Sequence, residues 1–545
     1  MSRLGRLYDY RIILVALSRC AASTSTRNEN AMPVIDRKWW TLIAVCTATF
    51  MLLLDITVVN VALPNIQSAL HSSFSDIQWV VDAYSLTLAA FLLTAGVFGD
   101  MFGRREVFAV GLGVFSASSM VCGLSTSSLM LNLARAAQGV GGAIMFATSL
   151  ALIAAAFSGK ERGTAFGIYG AVLGGAVAVG PLVGGAITTG IGWRWIFFIN
   201  VPIGAVAIII TLTQIQESRD ANKRRVDWIG FVTFSASGFL FVFALIRGND
   251  DGWSSSLIVG LFVAATALIV IFIVAELKQK EPMLDLNLFK RPAMTGVSLA
   301  AFAISASIFA MFLYLTLFIQ DDLGFGALAS GVRFLPLTAL AFIVAPVAGK
   351  LTVRVQARYM LGSGLLLIAA GLFTMGFTHA NSTWTVLLPG FILAGVGIGA
   401  VNPVLASSAI SVVPPERSGM ASGANSTFRQ VGIATGIAGL GSVFQSQLEK
   451  KTVQALRVSH TGTAISFHGG AQLRAAVLGG DVRHLAASLP GPDRIVLLNA
   501  YRSGFSSSLN TIVFIAAIIA LAGSISSFAL VRQRDFVPSV ASKSH

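Results

Sequence analysis

Charge is scarce in this chain. Asp, Glu, Lys and Arg make up 11% of its 545 residues, hydrophobic residues make up 55%, and mean hydropathy is +0.78. A soluble domain carries about 25% charged residues, so this shortage excludes a soluble globular protein and a disordered polar chain. Cysteine is nearly absent. Cys20, Cys46 and Cys122 are scattered, two of them inside apolar stretches, which leaves no disulfide framework and no metal site. The six His residues all fall outside the apolar stretches, and no H-E-x-x-H occurs. A G-x-x-x-x-G-K-[ST] loop is also missing, so no ATP site of that type is present, and the Gly395-x-Gly397-x-Gly399 run lies within an apolar stretch.

What is present is long hydrophobic runs. Fourteen stretches are each long enough to cross a bilayer: 39–63, 77–98, 106–124, 129–156, 164–188, 196–215, 228–247, 255–275, 293–319, 330–351, 358–378, 384–408, 420–444 and 508–531. They are continuously apolar rather than alternating, so they read as helices, each crossing needing about 20 residues. The expected fold is an all-α membrane protein with 14 transmembrane helices.

The net charge of +14 does not signal nucleic acid. With the N-terminus cytoplasmic, Lys and Arg concentrate in the cytoplasmic segments. The short outer loops hold little beyond Arg194 and Arg247, and the exception is the long loop 445–507. An even number of spans puts both termini in the cytoplasm of a cell-membrane protein. Tyr10–Leu17 is too short to span, and Met32 directly precedes Pro-Val-Ile-Asp-Arg-Lys-Trp-Trp. Residues 1–31 therefore read as a loosely ordered extension ahead of a natural start.

The chain contains an internal repeat. Gly139-Val140-Gly141 recurs as Gly395-Val396-Gly397, Glu161-Arg162 as Glu416-Arg417, and Gly163-Thr-Ala-Phe-Gly167 as Gly419-Met-Ala-Ser-Gly423. Parallel six-helix repeats with a site between them are a transporter plan. The expected organisation is a cytoplasmic extension (1–38), a first six-helix bundle (39–215), two extra helices with cytoplasmic flanks (216–292), a second bundle (293–531) containing the loop 445–507, and a cytoplasmic tail (532–545). The extra helices carry no embedded charge and are expected at the periphery or interface. The loop 445–507, broken by Gly469-Gly470, Gly479-Gly480 and Pro490-Gly491-Pro492, reads as partly helical and mobile.

Between the second and third spans lies Gly96-Val-Phe-Gly99-Asp100-Met101-Phe-Gly103-Arg104-Arg105. A tight turn needs small residues there, and Asp100 suits a helix N-terminus or a guanidinium. A plain positive-inside loop is the bland alternative. The segment resembles the signature loop of the major facilitator superfamily, matching at Gly96, Asp100, Gly103, Arg104 and Arg105, whereas Met101 departs from the usual Arg. The resemblance implies a cytoplasmic gating latch, with a degraded counterpart at Gly349-Lys350-Leu351. Leu54-Asp55-Ile-Thr57-Val-Val-Asn60-Val-Ala62-Leu63-Pro64, Arg135-Ala-Ala-Gln138-Gly139, Gly180-Pro181-Leu-Val-Gly184-Gly185 and Trp193-Arg194-Trp195-Ile-Phe197-Phe-Ile-Asn200-Val-Pro202 resemble motifs of its 14-span drug:proton antiporters. The likeness covers the chain from Trp39 onward. It implies two six-helix bundles plus two extra helices, and multidrug efflux driven by protons without a cofactor.

The residues themselves support part of this. At 1.5 Å per residue, Asp55 lies about 12 Å, Arg135 about 9 Å and Asp82 about 8 Å below the outer surface. Ionisable groups at such depth are costly and face a partner or a wet cavity, so these three are the candidate proton-coupling residues, though Asp82 beside Trp79 also reads as a solvated interfacial acid. Arg429 and Gln430 form a second polar pair, for which bonding between helices is the plainer role. Arg333 is shallow and expected to snorkel. Gly180, Pro181, Gly184 and Gly185 read as a bend and close-packing surface, with simple packing as the plain alternative. The expected function is proton-coupled export of small amphipathic or hydrophobic compounds by alternating access, with the lipid bilayer as setting, no catalytic residue, no metal and no nucleic acid. The sequence does not show an accessory partner. A dedicated exporter of one metabolite, lipid or antibiotic is the nearest competitor; a receptor or membrane-embedded enzyme is a more distant one.

Overall fold

A computed structural model describes residues 36–72, 74–218, 226–457, 473, 477 and 482–536. The readings of residues 1–31, of the tail beyond 536 and of the middle of 445–507 lie outside the described residues.

Every regular element among the described residues is helical. In chain order the long helices are α1 (Arg37–Leu70), α2 (Phe74–Phe102), α3 (Arg104–Gly123), α4 (Ser128–Ala156), α5 (Gly159–Gly190), α6 (Trp195–Gln214), α7 (Trp228–Asp251) and α8 (Ser256–Lys278). They continue with α9 (Pro292–Gln320), α10 (Ala327–Leu351), α11 (Ala357–Met375), α12 (Leu388–Ser411), α13 (Ser418–Leu456) and α14 (Gly491–Leu530). Twelve helices among the described residues are long and apolar enough to cross a membrane, two fewer than the spans expected. The other two, α5 and α13, occupy the places of the fifth and thirteenth expected spans as helices of 32 and 39 residues.

Helices α1–α6 pack around one apolar core that includes Leu52, Leu88, Phe115 and Phe166, and helices α9–α14 around another that includes Ile308, Leu365, Phe391 and Leu509. Glycine brings the two groups together at one end of the molecule, where α2 meets α13 and α5 meets α10. A β-carbon on Gly96 of α2 would collide with the backbone of Gly419 at the start of α13, and one on Gly163 of α5 would collide with Gly349 of α10. One turn further in, Gly423 abuts Leu92 and Leu93, while Gly167 abuts Ala345 and Pro346. These two contacts are copies of each other with the halves exchanged, so the sequence repeat appears here as a two-fold junction. Small residues permit such backbone approach where lipid offers no hydrophobic drive.

Along α5 the approach to the second half loosens beyond Gly163. A β-carbon would lie 2.8 Å from Pro346 at Gly167, 3.0 Å from Pro403 at Gly170, 3.5 Å from Ala341 at Gly174 and 3.7 Å from Phe342 at Gly175. At Gly185 and Gly190 nothing lies within 4 Å.

Helix α7 packs against α2, where Val242 joins Leu86 and Ala89, and α8 packs mainly against α7. Only 17% of the most apolar window of α8 is buried, against 61% for α1, so α8 presents Val259, Val263, Val270 and Val274 to the lipid. The second bundle also extends beyond the predicted spans. Helix α13 continues to Leu456 and α14 begins at Gly491, with Leu448 and Leu456 packed in the same core as Leu497 and Phe505. An apolar stripe on otherwise polar segments explains why hydropathy alone placed these residues in a loop.

Candidate functional site

Asp55 sits midway along α1, 2% exposed, and three N–H groups converge on its carboxylate. Arg135 Nη1 of α4 donates to Oδ2 at 2.5 Å. Gln138 Nε2, one turn along the same helix, donates to Oδ1 at 3.0 Å, and Asn200 Nδ2 of α6 donates to Oδ1 at 3.2 Å. Arg135 makes two further bonds: Nε donates to the Val80 carbonyl at 2.9 Å, and Nη1 donates to Gln138 Oε1 at 2.7 Å. Its guanidinium lies over the Tyr84 ring at 4.2 Å, and Asn200 donates onward to Ser119 of α3 at 3.1 Å. Five helices therefore hold one ion pair. Isolated charges at this depth would cost several kcal/mol each, and excellent geometry with further hydrogen bonds is what offsets that cost.

The chemistry of this arrangement follows from its donors. Each carboxylate oxygen already faces an N–H group, so a proton arriving on Asp55 would displace at least one of them. Proton binding and the relative positions of α1, α4 and α6 are mechanically linked. The fifth helix enters the same linkage, because Gly180 lies against Thr57 and Gly184 against Val58, just beyond Asp55 on α1.

The loop between α2 and α3 forms a second polar centre. Asp100 Oδ1 accepts from Arg104 Nε at 3.0 Å and Nη2 at 2.7 Å, and its two oxygens accept from the backbone N–H groups of Gly419 (2.9 Å) and Met420 (2.8 Å). Asp100 thus caps the N-terminus of α13 from the other half, where the helix dipole favours an anion. Arg104 Nη2 extends the latch by donating to the Pro415 carbonyl at 2.8 Å. Arg105 turns instead toward Glu217, whose carboxylate accepts the N–H groups of Arg105 and Glu106 and so caps α3. Gly103 holds φ +113°, a region open chiefly to glycine. Outside the spans, burial pushes the Asp285 carboxyl up, but hydrogen bonds from Arg417 and Asn287 outweigh it and hold it below the usual range.

Not every expected residue joins these centres. Asp82 is half-buried on a different face of α2 from Val80 and Tyr84, alongside Trp79 and Leu86, which pack toward α7. Gly185 has open space where a β-carbon would lie, so only Gly180 and Gly184 of that motif close-pack, and Pro181 is internal to α5. Arg429 donates from Nη1 to Asn402 Oδ1 on α12 at 3.1 Å, not to Gln430, which is half-buried beside it. Arg333 turns back to the Ala329 carbonyl at 2.7 Å and covers the Phe325 ring. Sequence reasoning missed the roles of Ser119, Tyr84, Asn402 and Glu217. Gln138 had a usable signal, since it lies three residues from Arg135 on one helix face.

Residues 45–437 match the family profile of the Major Facilitator Superfamily. The chain belongs to this superfamily. As one of its transporters it is a multi-pass membrane protein built on the superfamily's all-helical fold. Its relatives include the multidrug resistance protein Stp of Mycobacterium tuberculosis, 37% identical over 410 residues that cover 75% of this chain and 76% of that protein. The tetracenomycin C resistance and export protein of Streptomyces glaucescens is 33% identical over 413 residues, 76% of this chain and 77% of that protein. Among solved structures, the proton:xylose symporter XylE aligns with a TM-score of 0.58 over 91% of this chain and 96% of its own, at 13% identity. An inward-facing, occupied bacterial homologue of the lysosomal transporter Spinster aligns at 0.54 over 94% and 100%, at 17% identity. At such identities these two structures show the shared fold alone.

Proposed function

We propose that this superfamily member is a proton-coupled exporter of small amphipathic or hydrophobic compounds across a cell membrane, with both termini cytoplasmic. It works by alternating access between residues 39–215 and 293–531, with 216–292 as an inserted helix pair and fourteen crossings in all. The observation that carries this reading is the Asp55–Arg135 pair, held by Gln138 and Asn200 within the first bundle. Protonating Asp55 loosens the tie between α1, α4 and α6. Through Gly180 and Gly184 that change reaches α5, one of the four helices that close the cytoplasmic junction. The Asp100 latch stabilises the state shut toward the cytoplasm, and its release opens the path for loading. The proton gradient is the only driving force, and no cofactor or catalytic residue takes part.

Everted membrane vesicles test the coupling. Wild type accumulates an amphipathic fluorescent substrate when acidified inside, and Asp55→Asn abolishes accumulation at equal expression. Undiminished accumulation by that variant overturns the coupling role of Asp55.

A dedicated exporter is the second reading. Relatives carry both multidrug names and names of single antibiotics, such as the puromycin resistance protein of Streptomyces alboniger. Vesicle efflux across a broad compound panel decides, since transport of one compound alone favours the dedicated version.

A further inference from the structure

Arg429 is a guanidinium of the second half that the mechanism above does not use. It lies on α13 where three helices meet: Gly170 of α5 touches Pro403 of α12, and Tyr169 and Asn402 are their chain neighbours. Asn402 and Tyr169 are 1% and 2% exposed, whereas Arg429 is only half-buried.

The groups around Arg429 are unbalanced. Arg429 brings five N–H donors, and among the described residues its one hydrogen bond goes to Asn402 Oδ1. Among those residues no carboxylate pairs with it; the titratable group acting on its charge is Tyr169, from the first half. The Asn402 Nδ2 donor is buried with no partner at all. Donors thus outnumber acceptors beside a full positive charge. The walls are aromatic, with Phe309 5.5 Å from the guanidinium carbon. Phe309 closes a π-helical turn of α9, Ser305–Phe309, and such local widening redirects side chains and recurs at functional sites. Gly432 and Gly436 bring α13 against that turn at Phe302 and Ala306.

We propose that Arg429 and Asn402 form a binding site for the anionic group of an amphipathic aromatic compound, a carboxylate, phenolate or sulfonate whose rings lie against Phe309. A planar guanidinium with free N–H groups matches such an oxyanion. The site explains what an unmatched positive charge is for in the second half. It deepens the exporter reading by naming a substrate class, and it rests on the space between the halves being the substrate path.

Binding of 1-pyrenebutyrate and of its neutral amide to the full chain in nanodiscs of uncharged lipid tests it, read by fluorescence anisotropy. Wild type should bind the carboxylate at least about tenfold more tightly than the amide, a factor worth about 1.4 kcal/mol. Arg429→Gln should reduce that preference to near unity, and Arg429→Lys should keep part of it. Wild-type melting gives a reading that needs no variant: the carboxylate should raise Tm and the amide should not. Equal binding of the two probes, no saturable binding of the carboxylate, or a preference kept in Arg429→Gln overturns the proposal. No proton gradient is present, so failure of proton coupling would leave this result unaffected.

Discussion

Arg135 and Arg429 belong to different halves and meet opposite surroundings. Around Arg135 a carboxylate, an amide oxygen and a backbone carbonyl accept N–H groups, and the residue is 1% exposed. Around Arg429 the described residues offer one amide oxygen, and the residue is only half-buried. The first arrangement is complete in itself and changes only if the helices around it move. The second is incomplete until something else arrives. A transporter needs both kinds, a closed couple that registers protonation and an open site that registers cargo.

Truncation separates the two most strongly. Arg135→Met leaves Asp55 buried without its cation, a loss of about 3–5 kcal/mol, and should lower the melting temperature of the purified protein sharply. Arg429→Met removes a half-buried charge that has no counter-ion among the described residues, so its melting temperature should hold or rise. Equal losses in the two variants would erase the distinction.

A smaller effect is expected at the latch. Asp100→Asn removes the anion at the N-terminus of α13, an interaction worth up to about 2 kcal/mol in partly buried geometry. Spin labels on α5 and α10 near Gly163 and Gly349 should then report a shift of up to about 30-fold toward separated halves. An unchanged distance distribution would reduce Asp100 to a local helix cap.

The smallest effect sets the scale for a surface pair. Asp285 and Arg417 are both partly exposed, and their ion pair, 2.8 Å apart, should contribute less than about 1 kcal/mol. Because the folded state holds the Asp285 carboxyl below its usual range, this contribution is present above the unfolded value near 3.9 and is lost as pH falls through the folded value. Melting curves of wild type and Asp285→Asn should therefore differ slightly at neutral pH and converge in acid. A difference that grows on acidification contradicts the assignment.

Much of this was legible in the sequence because charge inside an apolar run is expensive and therefore informative. Asp55, Arg135 and Arg429 stand out on that ground alone, and the glycines of the repeat mark the junction where backbones touch. What the sequence could not show is which partner answers each charge. Asn200 lies 145 positions from Asp55, and no local spacing connects them. For Asp82 depth was read without helix phase: two residues from both Val80 and Tyr84, it lies on a different face of α2 from theirs. Hydropathy also undercounts helices that are polar or glycine-rich, which is why α13 and α14 run far into the segment read as a loop.

Substrate-induced proton release from purified protein in liposomes tests the central claim most directly. If the Asp55–Arg135 couple exchanges protons for cargo, adding substrate to wild type releases protons with saturable dependence, and Asp55→Asn releases none while remaining folded. Release from Asp55→Asn equal to wild type would contradict the account.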